Sequence, residues 1–469
     1  MTTALAALAA AVVVIAAASV LLRRPEWGLV LLCLSSPIGL IYIGAAQVIT
    51  VVAIGVIGVM IGSRWGNGDP PFPPIAFSGA ILFWTITVLL SVLFSPYYAD
   101  AALFGLWLIV SGLLALSVPG IADTRERLKP VVVAWLVSAI VIVVAGSFIQ
   151  PAAPTDPAQA SAEYGGAVIE GRATSVFGQP NEYGLYCAML LMVSLAVLIG
   201  GRGWIRWLGL VAAACTGLGL VQSYSRGAWI GAAVGVVVLV MVLPQARRPV
   251  AITVALGAFL FAGYAAVVPD DPTVTLVTSR VGSIVNPAEN PDDDRLVIVA
   301  EGFRQFGQYP VFGVGPNAYM LEGATNRSLE EPVGAVHAHN MALTVAAEQG
   351  LVGVAALLVI AAVIVVRCIP VLPVVTRAQA RRLGRVPGPP DWVAVVLAGT
   401  IAALSASMIS GLVDAPLRNA LMRTTLWFTI GMAVACAEIL RRQFRVPADR
   451  TAAPTVPATA PEHNATAVS

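Results

Sequence analysis

Two histidines stand close together in the segment His337-Ala338-His339-Asn340, and nine residues separate that segment from Gly350-Leu351-Val352-Gly353. The chain has only three histidines, and the third, His463, lies in a tail rich in Pro, Ala and Thr. Histidine changes its charge near neutral pH, so it is suited to proton transfer. The pair also lies where a long polar segment meets a long apolar one. Imidazoles at such a boundary predict chemistry at a membrane surface.

His339 directly precedes an apolar stretch that we expect to form a helix from about Asn340. The N–H groups at a helix N-terminus disfavour a cation, so the imidazole should stay neutral, as a general base must. Asn340 can cap the helix through its side-chain oxygen. Gly350 and Gly353 fall one turn apart, and without Cβ atoms they should let another helix approach. His339 is therefore the candidate base, although the same pattern also suits a loop histidine that only makes hydrogen bonds.

The spacing of His337 and His339 also fits a pair of metal ligands, with Asp292–Asp294 as a source of further ones. No third ligand stands at a spacing typical of a metal centre. We therefore favour a metal-free base over a metal site, and we expect neither a metal ion nor a cofactor.

The composition is that of a protein embedded in a lipid bilayer. Hydrophobic residues make up 58% of the chain and charged residues 11%, whereas a soluble domain has roughly 25% charged residues. So few charges cannot cover a globular surface. All basic residues but Lys129 are arginine, which we interpret as a compositional bias rather than as nucleic-acid binding. The five cysteines show no paired or metal-ligand spacing, which is typical of small buried hydrophobic residues.

Thirteen apolar runs approach the roughly 20 residues that a helix needs to cross a bilayer. They lie at about 4–22, 27–43, 46–62, 75–95, 101–118, 130–149, 182–200, 207–222, 227–243, 250–268, 340–366, 392–413 and 421–440. The runs 27–43 and 46–62 are short and nearly continuous, so 11 to 13 passes are possible. The predicted fold is all-α: a polytopic membrane protein of about 12–13 transmembrane helices.

The runs divide the chain into six parts. Residues 1–149 are N-terminal transmembrane helices, 150–180 a first extracytoplasmic loop, and 181–268 central transmembrane helices. Residues 269–339 form a large extracytoplasmic loop, 340–445 the C-terminal transmembrane helices, and 446–469 a disordered cytoplasmic tail. Within the large loop, Asp292–Asp294 precedes apolar residues at 3–4 spacing: Leu296, Val299, Phe303 and Phe306. This pattern predicts an amphipathic helix on the outer membrane surface, ended by Gly307 and Pro310.

The distribution of basic residues predicts which side each loop faces, because cytoplasmic loops are enriched in them. With Arg23 and Arg24 inside, strict alternation leaves only eight basic residues outside. They are Arg172, Arg226, Arg280, Arg295, Arg304, Arg327, Arg418 and Arg423. Arg226 stands in Ser223-Tyr224-Ser225-Arg226-Gly227, between two apolar runs with almost no loop. A membrane anchor or structural ion pair would explain each arginine singly. As a set they favour an anion site, since a guanidinium matches phosphate oxygens.

Four segments, in this order along the chain, resemble the O-antigen ligase and O-antigen polymerase superfamily of bacterial envelope glycan enzymes. They are Arg172 with Phe177-Gly-Gln-Pro-Asn181-Glu182; Ser225-Arg226-Gly-Ala-Trp229; Arg295 with Pro310-Val-Phe-Gly-Val-Gly-Pro-Asn317; and His339-Asn340-x9-Gly350-x-x-Gly353. The motifs cover about residues 165–366, and the N-terminal helices match only in hydropathy.

The resemblance implies a GT-C-like membrane fold and a metal-independent, inverting glycosyl transfer on the exported face of the bacterial cytoplasmic membrane. The donor would be a glycan on a polyprenyl (undecaprenyl-type) diphosphate, and the acceptor a hydroxyl of a glycan or glycolipid. Carried over to this chain, Arg172, Arg226 and Arg295 would hold the diphosphate and His339 would act as the base. Supporting residues would be Asn181, Ser225, Asn340, Gly350 and Gly353. The resemblance implies no role for His337.

Three alternatives remain open. A polysaccharide polymerase, or an enzyme that transfers lipid-linked glycans to protein Ser/Thr, would share these motifs. A transporter or flippase could use the arginines to recruit an anionic substrate. Paired interrupted helices in the two halves, which are typical of inverted-repeat transporters, are not evident in the sequence. A metal-dependent hydrolase rests on His337 and His339 alone.

Overall fold

A computed structural model describes residues 19–44, 46–148, 172–285, 295–326, 337–373 and 391–444. Most of the apolar run 4–22, most of the first loop, the acidic run Asp292–Asp294, Arg327 and the tail lie outside these residues, as does the side chain of Arg295.

Fifteen helices account for most of the part of the chain that is described. They are α1 Glu26–Ser35, α2 Val48–Gly66, α3 Ala76–Leu93, α4 Tyr98–Ile121, α5 Arg125–Phe148, α6 Pro180–Gly200, α7 Trp204–Gln222, α8 Arg226–Val242, α9 Arg247–Val267, α10 Pro272–Val285, α11 Arg295–Gln308, α12 Tyr319–Gly323, α13 Met341–Arg367, α14 Trp392–Ser410 and α15 Ala420–Phe444. The only strands in the described residues, Tyr42–Ile43 and Ala46–Gln47, pair antiparallel.

Ten of the described helices are long and apolar enough to cross a bilayer, and two shorter apolar helices span Glu26–Ile38 and Arg226–Val242. The prediction of an all-α polytopic membrane protein is confirmed. The run 27–43 is not one continuous helix, however. Helix α1 ends at Ser35, a 3-10 turn follows through Pro37, and the chain then enters the hairpin. Ten helical residues reach only about 15 Å, so this element is too short to cross alone.

The centre of the bundle is formed by α4, α6, α14 and α15. Helix α15 is buried from Ala420 to Ala437, and most of α6 and α14 is buried as well. Helix α8 packs closely on α14, where a Cβ on Gly231 would lie 2.6 Å from the carbonyl oxygen of Ala406. Small residues allow such close packing of apolar helices in a membrane. Helix α9 is by contrast almost fully exposed, which suits a helix that faces lipid.

Helix α11 confirms the predicted helix at 295–306. Its face with Ile298 and Val299 packs against a small cluster that includes Tyr319 and Leu343. The side chains of Leu296 and Phe303 are 82% and 62% exposed, so part of the apolar stripe points away from the protein. That this stripe lies on the outer membrane surface stays a prediction.

Gly350 breaks α13 instead of receiving another helix, which corrects the sequence-based expectation. Its backbone is left-handed, with φ 65° and ψ −163°, and a Cβ there would collide with the carbonyl oxygen of Val311. The chain after α11 runs along this break. Its backbone pairs with α13 through bonds of 2.9 Å from Leu351 to Pro310 and from Val314 to Ala347. The break is tolerated because this segment satisfies the freed backbone groups.

That Gly353 receives another helix stays a prediction. The atoms nearest to a Cβ added there belong to Gln349 and Val345 of α13 itself.

We predict that Gly350→Ala destabilises the protein strongly. Backbone with φ 65° and ψ −163° is essentially restricted to glycine and costs another residue about 1–3 kcal/mol, and the clash with Val311 adds about 1–3 kcal/mol. The apparent melting temperature of the detergent-solubilised protein should therefore fall by several degrees. The matched control is Gly58→Ala in α2, where nothing lies within 4 Å of the added Cβ and no loss is expected. Equal melting temperatures for the two variants would contradict this account of the break.

Candidate active site

Polar residues from four separate segments meet at one end of the bundle. Helices α6, α8, α13 and α15 begin there, and α14 ends there. The connection between α14 and α15, residues 411–419, lies among these helix ends and is called the 411–419 loop below. Helix N-termini carry partial positive charge and unpaired N–H groups, so this arrangement suits an anionic ligand.

His337 is buried and has a defined orientation. Its Nδ1 accepts a 3.0 Å hydrogen bond from the backbone N–H of His339, so the proton of the neutral ring is on Nε2. That Nε2 lies 3.9 Å from a carboxylate oxygen of Asp414. Burial, together with the neighbouring His339 and Arg418, holds the pKa of His337 well below its usual range. His337 is thus a neutral imidazole that positions the backbone of His339, a role that the sequence did not indicate.

His339 adopts a backbone conformation that is uncommon for residues other than glycine. Its φ is 47°, in the left-handed region. Such conformations persist only where the surrounding structure enforces them, and they are concentrated at functional sites. Here the enforcement comes from both sides of the residue. His337 holds its N–H, and the backbone N–H of Met341, two residues later, donates to Gly411 at 2.7 Å. The half-buried ring of His339 lies edge-on to that of His337, with centroids 4.5 Å apart.

Asn340 caps α13, as predicted. Its Oδ1 accepts from the backbone N–H of Leu343 at 3.0 Å, and its Nδ2 donates to the carbonyl of Leu412 at 3.1 Å. The same side chain therefore starts the helix and fastens the histidine segment to the 411–419 loop.

Asp414 is the main site residue that the sequence analysis missed. It is buried and accepts a 2.8 Å bond from the N–H of Ala415. One nitrogen of each histidine and one carboxylate oxygen of Asp414 all lie within 4.8 Å of one another. Asp414 is thus a possible third metal ligand, which the sequence analysis did not find because it lies 75 positions after His339. The only signal in the sequence was a lone acid directly after an apolar helix.

Arg226 is the first residue of α8 and is half-buried. The turn before it is tight, because Tyr224 has φ 48° and Ser225 caps the helix by accepting from Ala228 at 3.4 Å. The next residue, Gly227, lies against the side chain of Val413. Arg226 is therefore beside the 411–419 loop that also touches the histidine segment.

Arg172 braces the turn that carries Arg226. Its Nε donates to the carbonyl of Ser223 at 2.8 Å, and its Nη2 donates to Asn181 at 2.9 Å. Asn181 lies in the first turn of α6, next to Glu182, which accepts a 2.7 Å bond from Asn419 of the 411–419 loop. Arg172, Asn181 and Arg226 are thus brought together. Arg295 begins α11, but its place relative to them stays a prediction.

Several of the arginines that the sequence analysis placed on the outer side of the membrane are bound to other residues of the protein. The Nη1 of Arg418 lies 3.6 Å from a carboxylate oxygen of Glu348. Arg304 bonds to Glu301 at 2.8 Å. Arg423 is buried and donates to the carbonyls of Leu417 and Arg418. These three arginines support the structure around the site, so the interpretation of all eight as one anion-binding set is too broad.

Comparison with known proteins now connects this geometry to a family. A family model described as O-antigen ligase matches residues 210–358, from α7 to the middle of α13. The match includes Arg226, His337, His339 and Gly350, and it leaves out Arg172 and the 411–419 loop. Residues 210–358 are therefore similar to the O-antigen ligase family, and the resemblance drawn from the motifs is confirmed. No curated protein matches the chain.

The pair Arg418–Glu348 gives a stability prediction for this end of the bundle. Arg418→Met should lower the stability by about 3–5 kcal/mol, because it leaves the buried carboxylate of Glu348 without its cation. The double variant Arg418→Met, Glu348→Gln should be clearly more stable than Arg418→Met alone. Thermal unfolding of the two variants in the same detergent measures this. If the double variant is no more stable than Arg418→Met, the two side chains do not interact as the distance indicates.

Proposed function

We propose that this chain is a membrane glycosyltransferase that moves a glycan from a polyprenyl diphosphate to a sugar hydroxyl on the exported face of the membrane. The match of residues 210–358 to the O-antigen ligase family supports this proposal, because members of that family are glycosyltransferase-type enzymes. The observation that carries the proposal is the fixed position of His339. Its strained backbone is held by His337 and by the 411–419 loop, and that loop also touches the start of α8 next to Arg226.

The leaving group defines the role of the arginines. In the proposed step, the bond between the anomeric carbon of the donor sugar and the diphosphate oxygen breaks, and its electron pair leaves with the diphosphate. Arg226 and the N-terminus of α8 offset the charge that develops on that oxygen. Arg172 contributes by fixing the Ser223–Arg226 turn through its bond to the Ser223 carbonyl. Arg295 would line the same site or the acceptor path.

The acceptor defines the role of the histidines. Its hydroxyl oxygen attacks the anomeric carbon from the face opposite the diphosphate, so the configuration inverts, and the hydroxyl proton passes to His339. The carboxylate of Asp414, whose oxygen lies within 4.8 Å of a His339 nitrogen, stabilises the imidazolium that forms. His337 holds the backbone of His339 and is a positioning residue. Because the donor keeps its tail in lipid, a site among helix ends at the bilayer boundary suits the reaction.

The central prediction is that His339→Ala abolishes glycan transfer without unfolding the protein. Purified variants are placed in liposomes that contain a lipid-linked glycan and an acceptor glycan, and both the product and the free polyprenyl diphosphate are measured. His463→Ala, in the tail, is the control and should keep full activity. Undiminished transfer by His339→Ala would overturn the proposed base. Movement of the glycan lipid across the bilayer by the native protein without release of polyprenyl diphosphate would identify a flippase instead.

The cluster of His337, His339 and Asp414 favours one second candidate, a metal-assisted reaction, because its three ligand atoms are close enough for a single ion. We expect transfer to continue in the presence of a chelator. The Nδ1 of His337 already accepts the N–H of His339 and the ring proton is on Nε2, so neither nitrogen of this ring offers a lone pair to an ion. Loss of activity on chelation, with recovery on addition of Zn²⁺ or Mn²⁺, would favour the metal-assisted reaction. Asp414→Asn distinguishes the two further: it should lower kcat several-fold for the base and remove metal binding for the alternative.

A further inference from the structure

A cationic cleft lies at the opposite end of the bundle from the candidate active site. It is formed where α5 and α14 begin and where α6 ends, and its empty volume, including the part open to solvent, is about 1070 Å³. Helix α6 has 21 residues, so the cleft is about 30 Å from the Asn181 end of the same helix. The arginine distribution assigns this end of the bundle to the cytoplasm. The cleft is therefore a separate feature, independent of the proposed transfer reaction.

The rim of the cleft is positively charged. Arg125, Lys129 and Arg202 line it, and Asp391 is the one acid among its lining residues. That acid is already engaged, because one carboxylate oxygen bonds to Arg125 at 2.6 Å and the other caps α14 through Val393 at 2.9 Å. Lys129 and Arg202 are exposed. The positive ends of α5 and α14 add to this charge, and the C-terminal carbonyls of α6 offset part of it.

The inner wall of the cleft is apolar. Val132 of α5, Val197 of α6 and Val396 of α14 line it, together with Trp392 at the start of α14. A free phosphate or nucleotide would use only the charged rim. A ligand with an anionic head and a hydrocarbon tail would use both parts, and basic pockets between transmembrane helices on the cytoplasmic side are suited to such headgroups.

We propose that this cleft binds an anionic membrane phospholipid. The headgroup phosphate lies between Lys129 and Arg202, and one acyl chain follows the valine wall between α5, α6 and α14. The bound lipid joins the ends of three helices, and the far ends of α6 and α14 carry Asn181 and the 411–419 loop. The lipid therefore stabilises the helix pair on which the candidate active site is built.

Native mass spectrometry of the full chain tests the proposal. The protein is purified in detergent and mixed with phosphatidylglycerol or, at the same concentration, phosphatidylcholine. We expect the phosphatidylglycerol adduct to be retained several-fold more than the phosphatidylcholine adduct. The variant Lys129→Gln, Arg202→Gln should lose this preference. Arg206→Gln removes an exposed arginine at the same end of the bundle that does not line the cleft, and it should keep the preference. Equal retention of both lipids by the native chain, or an unchanged preference in the double variant, would overturn the proposal.

A second measurement on the native chain does not depend on the folding of any variant. Phosphatidylglycerol should raise the apparent melting temperature in detergent, because a ligand that binds only the folded state stabilises it. Phosphatidylcholine and soluble glycerol phosphate should not. An equal rise with glycerol phosphate would show that the site takes a free phosphoester, and no rise with phosphatidylglycerol would show that it takes no anionic lipid; either result overturns the proposal.

Discussion

The guanidinium of Arg423 lies in the first turn of α15, buried inside the bundle, and the position of the candidate site depends on it. It donates to the carbonyls of Leu417 and Arg418 and to the hydroxyl of Ser111, and it lies 5.2 Å from the ring centre of Phe104. A buried cation is costly unless such partners surround it. Two of these partners are carbonyls at the end of the 411–419 loop. The hydrogen bonds that a buried guanidinium needs therefore also hold that loop in place.

The 411–419 loop in turn connects segments that are far apart in the sequence. Backbone and side-chain bonds join it to Asn340 and Met341, Gly227 packs against Val413, and Asn419 bonds to Glu182. Three helix starts are thereby held around Asp414. The strained φ of His339 is sustained by these contacts, since the left-handed conformation persists only where its neighbours enforce it.

Charge at this end of the bundle is divided between structural roles and a proposed ligand-binding role. Arg418 pairs with Glu348, and Arg304 bonds to Glu301. Arg423 donates to the carbonyls of Leu417 and Arg418. Arg226 instead begins a helix, where the macrodipole adds to its charge. The proposed diphosphate site lies at the starts of α6 and α8, and the proposed base approaches it from the start of α13.

The sequence by itself determined the membrane class and nearly all the helices, and it singled out His339 and Arg226 as candidates, because apolar length and helix-start chemistry are local properties. It also predicted the amphipathic helix α11 and the Asn340 cap. It did not determine that Gly350 turns the chain against the segment at Val311, that Arg304, Arg418 and Arg423 support the structure, or that Asp414 joins the histidines. Those facts depend on which helix ends lie side by side. Only tertiary packing decides this, because each buried charge and each freed backbone group must find its partner on another segment.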